Sequence, residues 1–229
     1  MTIKAIIFDL GGVIININYV LTVEAFKSLG GHDFDKIYSQ FKQSNLFDRY
    51  ETGQIDDQAF RKGLIEELDL PMEDEQFDVA WNAMLLDLPK ERLEFIKRLR
   101  HEGFATFLFS NTNGIHLKKV FEICQKTTEV NDFTGCFDKE YYSHTLGMRK
   151  PHKESFEQIL KNHNLKASET LFVDDTAQHV EGAKRAGIYT MLIDKNHSIF
   201  DIPSFIAQLN KQEKEQLSAK ELNQASFTM

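Results

Sequence analysis

Cysteine is scarce in this sequence: Cys124 and Cys136 are the only two in 229 residues, and they show no C-x-x-C or Cys/His spacing. That excludes a disulfide framework and a zinc site. Basic charge is also short. With 27 Lys and Arg against 35 Asp and Glu, the formal charge is −8, so no basic field points to nucleic acid or to an anionic membrane. No apolar run approaches the roughly 20 residues that span a bilayer. The N-terminus enters an apolar strand with no basic segment, h-region or cleavage site, so the expected location is the cytoplasm, with no membrane contact. Internal repeats and low-complexity segments are absent too. What is present is 41% hydrophobic and 27% charged residues, enough for a core of one large domain or of a domain carrying an insertion. A chain this negative needs local help from a metal, a lysine or backbone N–H groups if it is to bind an anion.

The first apolar run, at residues 5–8, leads into Asp9-Leu10-Gly11-Gly12-Val13-Ile14. It reads as a strand buried on both faces that delivers one carboxylate into a glycine turn. From about residue 16 to 88 no strand-like run occurs. Apolar residues at i, i+3 and i+4 predict helices over 19–29, 34–41, 57–68 and 75–86, punctuated by Gly30-Gly31, Thr52-Gly53 and Pro71. Phe26, Phe34, Phe41, Phe47, Phe60, Phe77 and Trp81 sit at helical spacing and predict an aromatic core for this block.

Strands and helices alternate after residue 88. A helix over 93–99 ends at Gly103, and a strand over 104–109 delivers Ser110-Asn111-Thr112-Asn113. A second helix runs to about residue 125, and the segment 137–143 leads to Leu-Gly-Met-Arg-Lys-Pro at 146–151. Pro151 suits the first turn of a helix over 153–162. A strand over 170–173 delivers Asp174-Asp175, Thr176 is placed to cap the next helix, Gly187 stops it, and a last strand covers 189–193. The expected fold is α/β: a Rossmann-like parallel sheet flanked by helices, formed by residues 1–15 and 88–205. Residues 16–87 form an inserted all-helical domain, and 206–229 form a charged C-terminal tail.

Parallel strands share one carboxyl edge, so Asp9, Ser110-Asn111 and Asp174-Asp175 are expected to meet in one crevice, with Lys150 opening the helix before the last pair. Carboxylates so gathered repel one another unless a hard divalent cation joins them, and Mg²⁺ favours oxygen ligands and a substrate phosphate. The Ser110 hydroxyl, a backbone N–H at Asn111 and the Lys150 ammonium would hold that phosphate. One aspartate could then attack phosphorus in line and form an aspartyl-phosphate that water hydrolyses.

These motifs resemble the haloacid dehalogenase (HAD) superfamily of phosphohydrolases. The match lies in Phe8-Asp9-Leu10-Gly11-Gly12-Val13-Ile14, Phe109-Ser110-Asn111-Thr112-Asn113, Arg149-Lys150-Pro151 and Phe172-Val173-Asp174-Asp175. It covers about 1–15 and 88–200, and the helical block sits where that family carries its cap domain. The resemblance implies a phosphoric monoester hydrolase acting on a small phosphorylated metabolite. It makes Asp9 the nucleophile and a Mg²⁺ ligand, with Gly11 lending its carbonyl to the metal, Asp174 as principal acidic ligand and Asp175 assisting. Ser110, Asn111 and Lys150 would bind the phosphate. The stretch 146–151, Ser-Asn-Thr-Asn at 110–113 and Glu181-Gly182-Ala183 look most like the bacterial alpha-D-glucose-1-phosphate phosphatases, which implies a sugar phosphate as substrate.

One position departs from the pattern. Most phosphatases of the superfamily carry a second aspartate two residues after the nucleophile, as general acid and base, and here that position is Gly11. A general acid or base is worth about 10²- to 10⁴-fold. Asp48 or Glu51 from the helical block could replace it, on what reads as a loop-like polar stretch. Alternatively, the leaving group needs little help, as with an anomeric hydroxyl. The competing functions are a metal-independent 2-haloacid dehalogenase, against which the acidic pair argues, and a catalytically silent phospho-ligand-binding protein. A receiver domain would be shorter and lack the insertion. Phe47, Arg49 and Tyr50 are the residues expected to select the substrate. Oligomeric state is not readable from the sequence.

Overall fold

The computed structural model describes residues 2–38, 45–129 and 132–226. Five strands, β1 (Ala5–Phe8), β2 (Ala105–Ser110), β3 (Lys139–Tyr142), β4 (Thr170–Asp174) and β5 (Tyr189–Leu192), form one parallel sheet in the order β3-β2-β1-β4-β5. β1 is central, with Phe8 paired to Leu108 on one side and Val173 on the other. Its uninterrupted apolar run follows from this position, because successive side chains enter opposite cores. Ile6 and Phe8 belong to one buried cluster, Ala5 and Ile7 to another.

The helical block comprises α1 (Tyr19–Ser28), α2 (Phe34–Ile37), α3 (Asn45–Glu51), α4 (Asp57–Leu68) and α5 (Asp74–Trp81). It has its own buried cluster built from Phe26, Phe34, Tyr38, Phe47, Phe60, Phe77 and Trp81, joined by Ile115 from the core. Phe26 stacks on Phe34 at 4.3 Å and Tyr50 on Phe60 at 4.0 Å, the offset and edge contacts that add to plain burial. The helix expected over 34–41 ends at Ile37, where Tyr38 turns extended so that its ring joins the aromatic cluster; Phe41 lies outside the described residues.

Two differences from the sequence reading have tertiary causes. The stretch read as a polar loop is helix α3, because Phe47 and Tyr50, one turn apart, are both drawn into the aromatic cluster. The helix expected over 75–86 stops at Trp81 and gives way to a 3₁₀ turn, Asn82–Met84. There the Thr22 hydroxyl donates to the Trp81 carbonyl at 3.0 Å and accepts from the Met84 N–H at 3.1 Å, satisfying groups that a helix end leaves open.

The remaining helices are α6 (Lys90–His101), α7 (Gly114–Thr128), α8 (Ser143–Leu146), α9 (Lys153–Asn162), α10 (Ala177–Arg185) and α11 (Ile202–Ser226). Leu93 and Ile96 of α6, Val120 of α7 and Ile202 of α11 cover one face of the sheet. Phe156 and Ile159 of α9 and Ala183 of α10 cover the other. Of the tail expected over 206–229, residues 206–226 continue α11 and the rest lies outside the described residues. Pro151 lies two residues ahead of α9 rather than in its first turn, and its carbonyl accepts from Arg185 at 3.0 Å. Thr176 stands at the N-cap of α10 without a capping side-chain bond, since its hydroxyl donates to Asp175 at 3.2 Å. The connections between sheet and helical block pair with each other: Ile17 bridges Leu85, and the N–H of Asn16 donates to Asp87 at 2.9 Å. Among the described residues, no helix is long and apolar enough to cross a membrane.

Candidate active site

The edge residues of the three central strands stand at one end of the sheet, and two of them, Asp9 and Asp174, meet one lysine. Asp9 extends β1 by donating its N–H to Val173 at 2.9 Å, Ser110 ends β2 and Asp174 ends β4. Lys150 is fully buried, with Nζ 2.7 Å from Asp9 Oδ1 and 2.7 Å from Asp174 Oδ2. It lies 5.5 Å from the centre of the Phe109 ring and 5.4 Å from that of Phe172, within cation–π range. Burial opposes its charge, but Asp174 and Asp9 outweigh burial and hold the ammonium above the usual lysine range. Asn111 fixes the backbone beneath it. The Asn111 amide donates to the Lys150 carbonyl and accepts from the Lys150 N–H, both at 2.9 Å.

The carboxylates are not equivalent. Asp174 is fully buried, and although burial opposes its ionisation, Lys150 and His179 hold it below the usual carboxylate range. Its oxygens accept from Lys150, from the Thr176 N–H at 2.8 Å and from His179 Nδ1 at 3.1 Å to each oxygen. Most of its lone-pair directions are thereby used. Asp9 is pushed well above the usual range, first by burial and then by Asp174. Asp175 is pushed up to about 6, again by burial and then by Asp174. It packs on the glycine turn. Gly12 has φ +72°, and a Cβ there would stand 2.0 Å from Asp175 Oδ2, so only glycine fits.

Above this floor lies a cavity of about 380 Å³. Gly11, Ser110 and Asn111 border it from the core, and Tyr19, Tyr38 and Trp81 from the helical block. Asp9, Lys150 and the acidic pair are chain neighbours of lining residues Leu10, Arg149, Pro151 and Thr176 but do not line it themselves. Arg149 ties the two halves together, pairing with Asp48 and, at 2.9 Å, with Glu51. A second tie joins α3, α4 and α7: the Tyr50 hydroxyl donates to Asp57 at 2.7 Å and accepts from the Ile115 N–H at 3.3 Å.

The residues expected to select a substrate do not border this cavity. Phe47 and Tyr50 are buried in the aromatic cluster, and Arg49 faces outward. The aromatic packing that makes α3 a helix turns both rings inward and leaves Asp48 and Glu51 on the cavity side. Tyr19, His116 and His179 border the cavity and escaped the sequence reading. A histidine one turn into the helix after Asp174-Asp175 was the available signal for His179; Tyr19 and His116 had none.

His116 joins the two halves from the core side. Its ring stacks on Trp81 at 4.7 Å, and its Nδ1 meets Asn82 Oδ1 at 2.9 Å, so the Nδ1 carries the proton. Burial pushes its pKa down to about 3. The unfolded chain takes up a proton here near pH 6.5 while the folded chain does not, so folded stability falls as pH drops from about 6.5 towards 3. The expected slope is about 1.4 kcal/mol per pH unit. Urea melts across that window should show this loss in the native chain and a shallower one in His116→Gln; equal slopes would remove His116 as the cause.

A model of the haloacid dehalogenase-like hydrolases matches residues 3–187. The chain belongs to that family. Among curated relatives, this family member is 33% identical over 190 residues to the D-ribitol-5-phosphate phosphatase of Bacteroides thetaiotaomicron, covering 82% of this chain and 90% of that protein. Among solved structures, the HAD family enzyme bt-2542 of the same organism, crystallised with magnesium and inorganic phosphate, superposes with a TM-score of 0.76 at 32% identity, covering 86% of this chain and 97% of that one. A HAD-like hydrolase of Porphyromonas gingivalis superposes with a TM-score of 0.79 at 29% identity over 91% of this chain and 98% of its own. A family hydrolase thus carries Asp9, Lys150 and Asp174 in direct contact, with Ser110, Asn111 and Gly11 on the cavity beside them.

Proposed function

We propose that this HAD-family hydrolase is a Mg²⁺-dependent phosphatase of a small phosphorylated metabolite, with Asp9 as nucleophile. The observation that carries the reading is the charge balance at the sheet edge: Asp9, Asp174 and Asp175 gather around a single ammonium. One lysine cannot compensate three ionised carboxylates, so burial and mutual repulsion raise Asp9 and Asp175, and their hard oxygens suit a divalent cation and a phosphate. Asp9, the Gly11 carbonyl and the acidic pair would hold Mg²⁺. Within the pair, Asp175 is favoured as the direct ligand, because Asp174 already accepts from Lys150, Thr176 and His179. Asp9, Asp174 and His179 also offer atoms within 4.8 Å of one another, but the ammonium of Lys150 occupies the approach between the two carboxylates.

Bound Mg²⁺ supplies charge neutralisation for the phosphoryl oxygens. Ser110 and the N–H of Asn111 orient the phosphate, Lys150 holds the carboxylate of Asp9 at the strand edge, and Asp9 attacks phosphorus to give an aspartyl-phosphate that water then hydrolyses. The block at 16–87, tied down by Arg149 and Tyr50, acts as a cap that excludes water during transfer. The acidic pair has no task in a metal-independent dehalogenase.

Two substrates are suggested, one by the motif resemblance and one by the relatives. The motif resemblance favours glucose 1-phosphate, whose anomeric leaving group needs little protonation, in keeping with Gly11. The Bacteroides relative is a D-ribitol-5-phosphate phosphatase, which favours a pentitol phosphate. Phosphate release from p-nitrophenyl phosphate, glucose 1-phosphate, glucose 6-phosphate and ribitol 5-phosphate, with Mg²⁺ and with EDTA, tests the reading. Metal-dependent release from at least one ester is expected, and no release from any would leave the phospho-ligand-binding alternative standing. Preference for either primary-alcohol ester over glucose 1-phosphate would remove the anomeric assignment.

A further inference from the structure

The cavity that Gly11 borders is also lined by a hydrogen-bond donor that the sequence reading did not consider. Gly11 carries no side chain, and a Cβ there would stand 3.0 Å from Ile17 Cδ1, so Ile17 covers the space beside position 11. Two residues further on, Tyr19 opens α1. Its backbone is well anchored: the Asn18 N–H donates to the Met84 carbonyl at 2.9 Å, and the Asn18 side chain accepts from the Val20 N–H at 3.1 Å, capping the helix. The anchor sits where the two connections to the block pair through Ile17 and Leu85. Tyr19 borders the same cavity as Gly11, Ser110 and Asn111.

We propose that the Tyr19 hydroxyl donates a hydrogen bond to the bridging ester oxygen of the bound phosphate ester, supplying from the inserted block the leaving-group contact that Gly11 cannot. The proposal rests on the phosphatase reading above. Burial first, then the carboxylates of Asp175, Asp9 and Glu51, holds this phenol far above its usual range, so it keeps its proton and acts as a fixed neutral donor rather than as an acid. As Asp9 bonds to phosphorus, the P–O ester bond breaks and its electron pair passes to the bridging oxygen, where the Tyr19 hydrogen bond strengthens. The departing alkoxide takes a proton from water. The hydroxide so formed is consumed when the aspartyl-phosphate is hydrolysed, which returns Asp9 and inorganic phosphate.

Tyr19→Phe keeps the ring and removes only the donor. The readout is kcat/KM, which reports the step that breaks the ester bond. With an alkyl ester such as ribitol 5-phosphate, the variant is expected to lose about 10- to 100-fold, the worth of a hydrogen bond to developing charge. With p-nitrophenyl phosphate, whose leaving group is stabilised on its own, the loss is expected to stay within about two-fold. A purely structural role would lower both esters alike, and that result, or an unchanged alkyl ester, overturns the proposal. A native chain that releases phosphate from none of the four esters in Mg²⁺ overturns the phosphatase reading itself and takes this assignment with it; a native chain that cleaves only p-nitrophenyl phosphate or glucose 1-phosphate, or a variant showing no leaving-group dependence, overturns the Tyr19 assignment alone.

Discussion

Asp9→Asn is expected to lower phosphate release by about 10⁴-fold or more, on the scale seen when a nucleophile is removed. Asn keeps the shape of the side chain and its place at the end of β1 but cannot form an acyl phosphate. The same change should not cost stability. Asp9 is buried beside Asp174, with Asp175 also near, and these raise its pKa, so an amide relieves repulsion that the native carboxylate carries. A melting temperature equal to or above that of the native chain, together with lost turnover and no acid-stable phosphorylated protein after quenching, is the expected combination. Activity comparable with the native chain would remove Asp9 as nucleophile. A collapse in melting temperature would show instead that the carboxylate is structural.

Lys150→Met carries the opposite stability prediction. The ammonium is fully buried between Asp9 and Asp174 at 2.7 Å each, beside the Phe109 and Phe172 rings. Met keeps the stem and packs on both rings, but it leaves two buried carboxylates without their cation. Breaking a buried pair in this way costs about 3–5 kcal/mol. Chemical denaturation should register that loss near neutral pH, and added Mg²⁺ should recover part of it by binding the freed carboxylates. A second substitution, Asp174→Asn on the Met background, should recover part of the lost stability because it removes one of the two carboxylates left without a cation. If Lys150→Met unfolds at the native denaturant midpoint, the ion triad contributes nothing. Phosphate release by the single variant should be undetectable, since Lys150 is the cation in direct contact with Asp9.

The sheet was legible because its strands are covered on both faces: β1, β2 and β4 are largely apolar runs that lead into Asp9, Ser110 and Asp174, and strand polarity alone sends those ends to one edge. The aromatic block was legible from helical spacing. Helix α3 was not, because the stretch around Asp48 is polar and becomes helical only when Phe47 and Tyr50 are drawn into a cluster whose other members come mainly from α1, α2, α4 and α5, with Ile115 from the core. The choice of Phe47 and Tyr50 as selecting residues failed for the same reason.

By itself the sequence determined which chemical groups stand at the edge of the sheet, since a period-two pattern and a shared strand direction are local properties of the chain. It also determined that position 11 offers no acid. Only the tertiary structure decided how those groups divide their work. Asp174 is held by Lys150, Thr176 and His179, Asp175 is pressed against Gly12, Tyr19 borders the cavity from the helical block, and Arg149 reaches from the core to Glu51 of that block. Burial and the competition of several donors for one carboxylate depend on neighbours distant in sequence, and no local pattern encodes them.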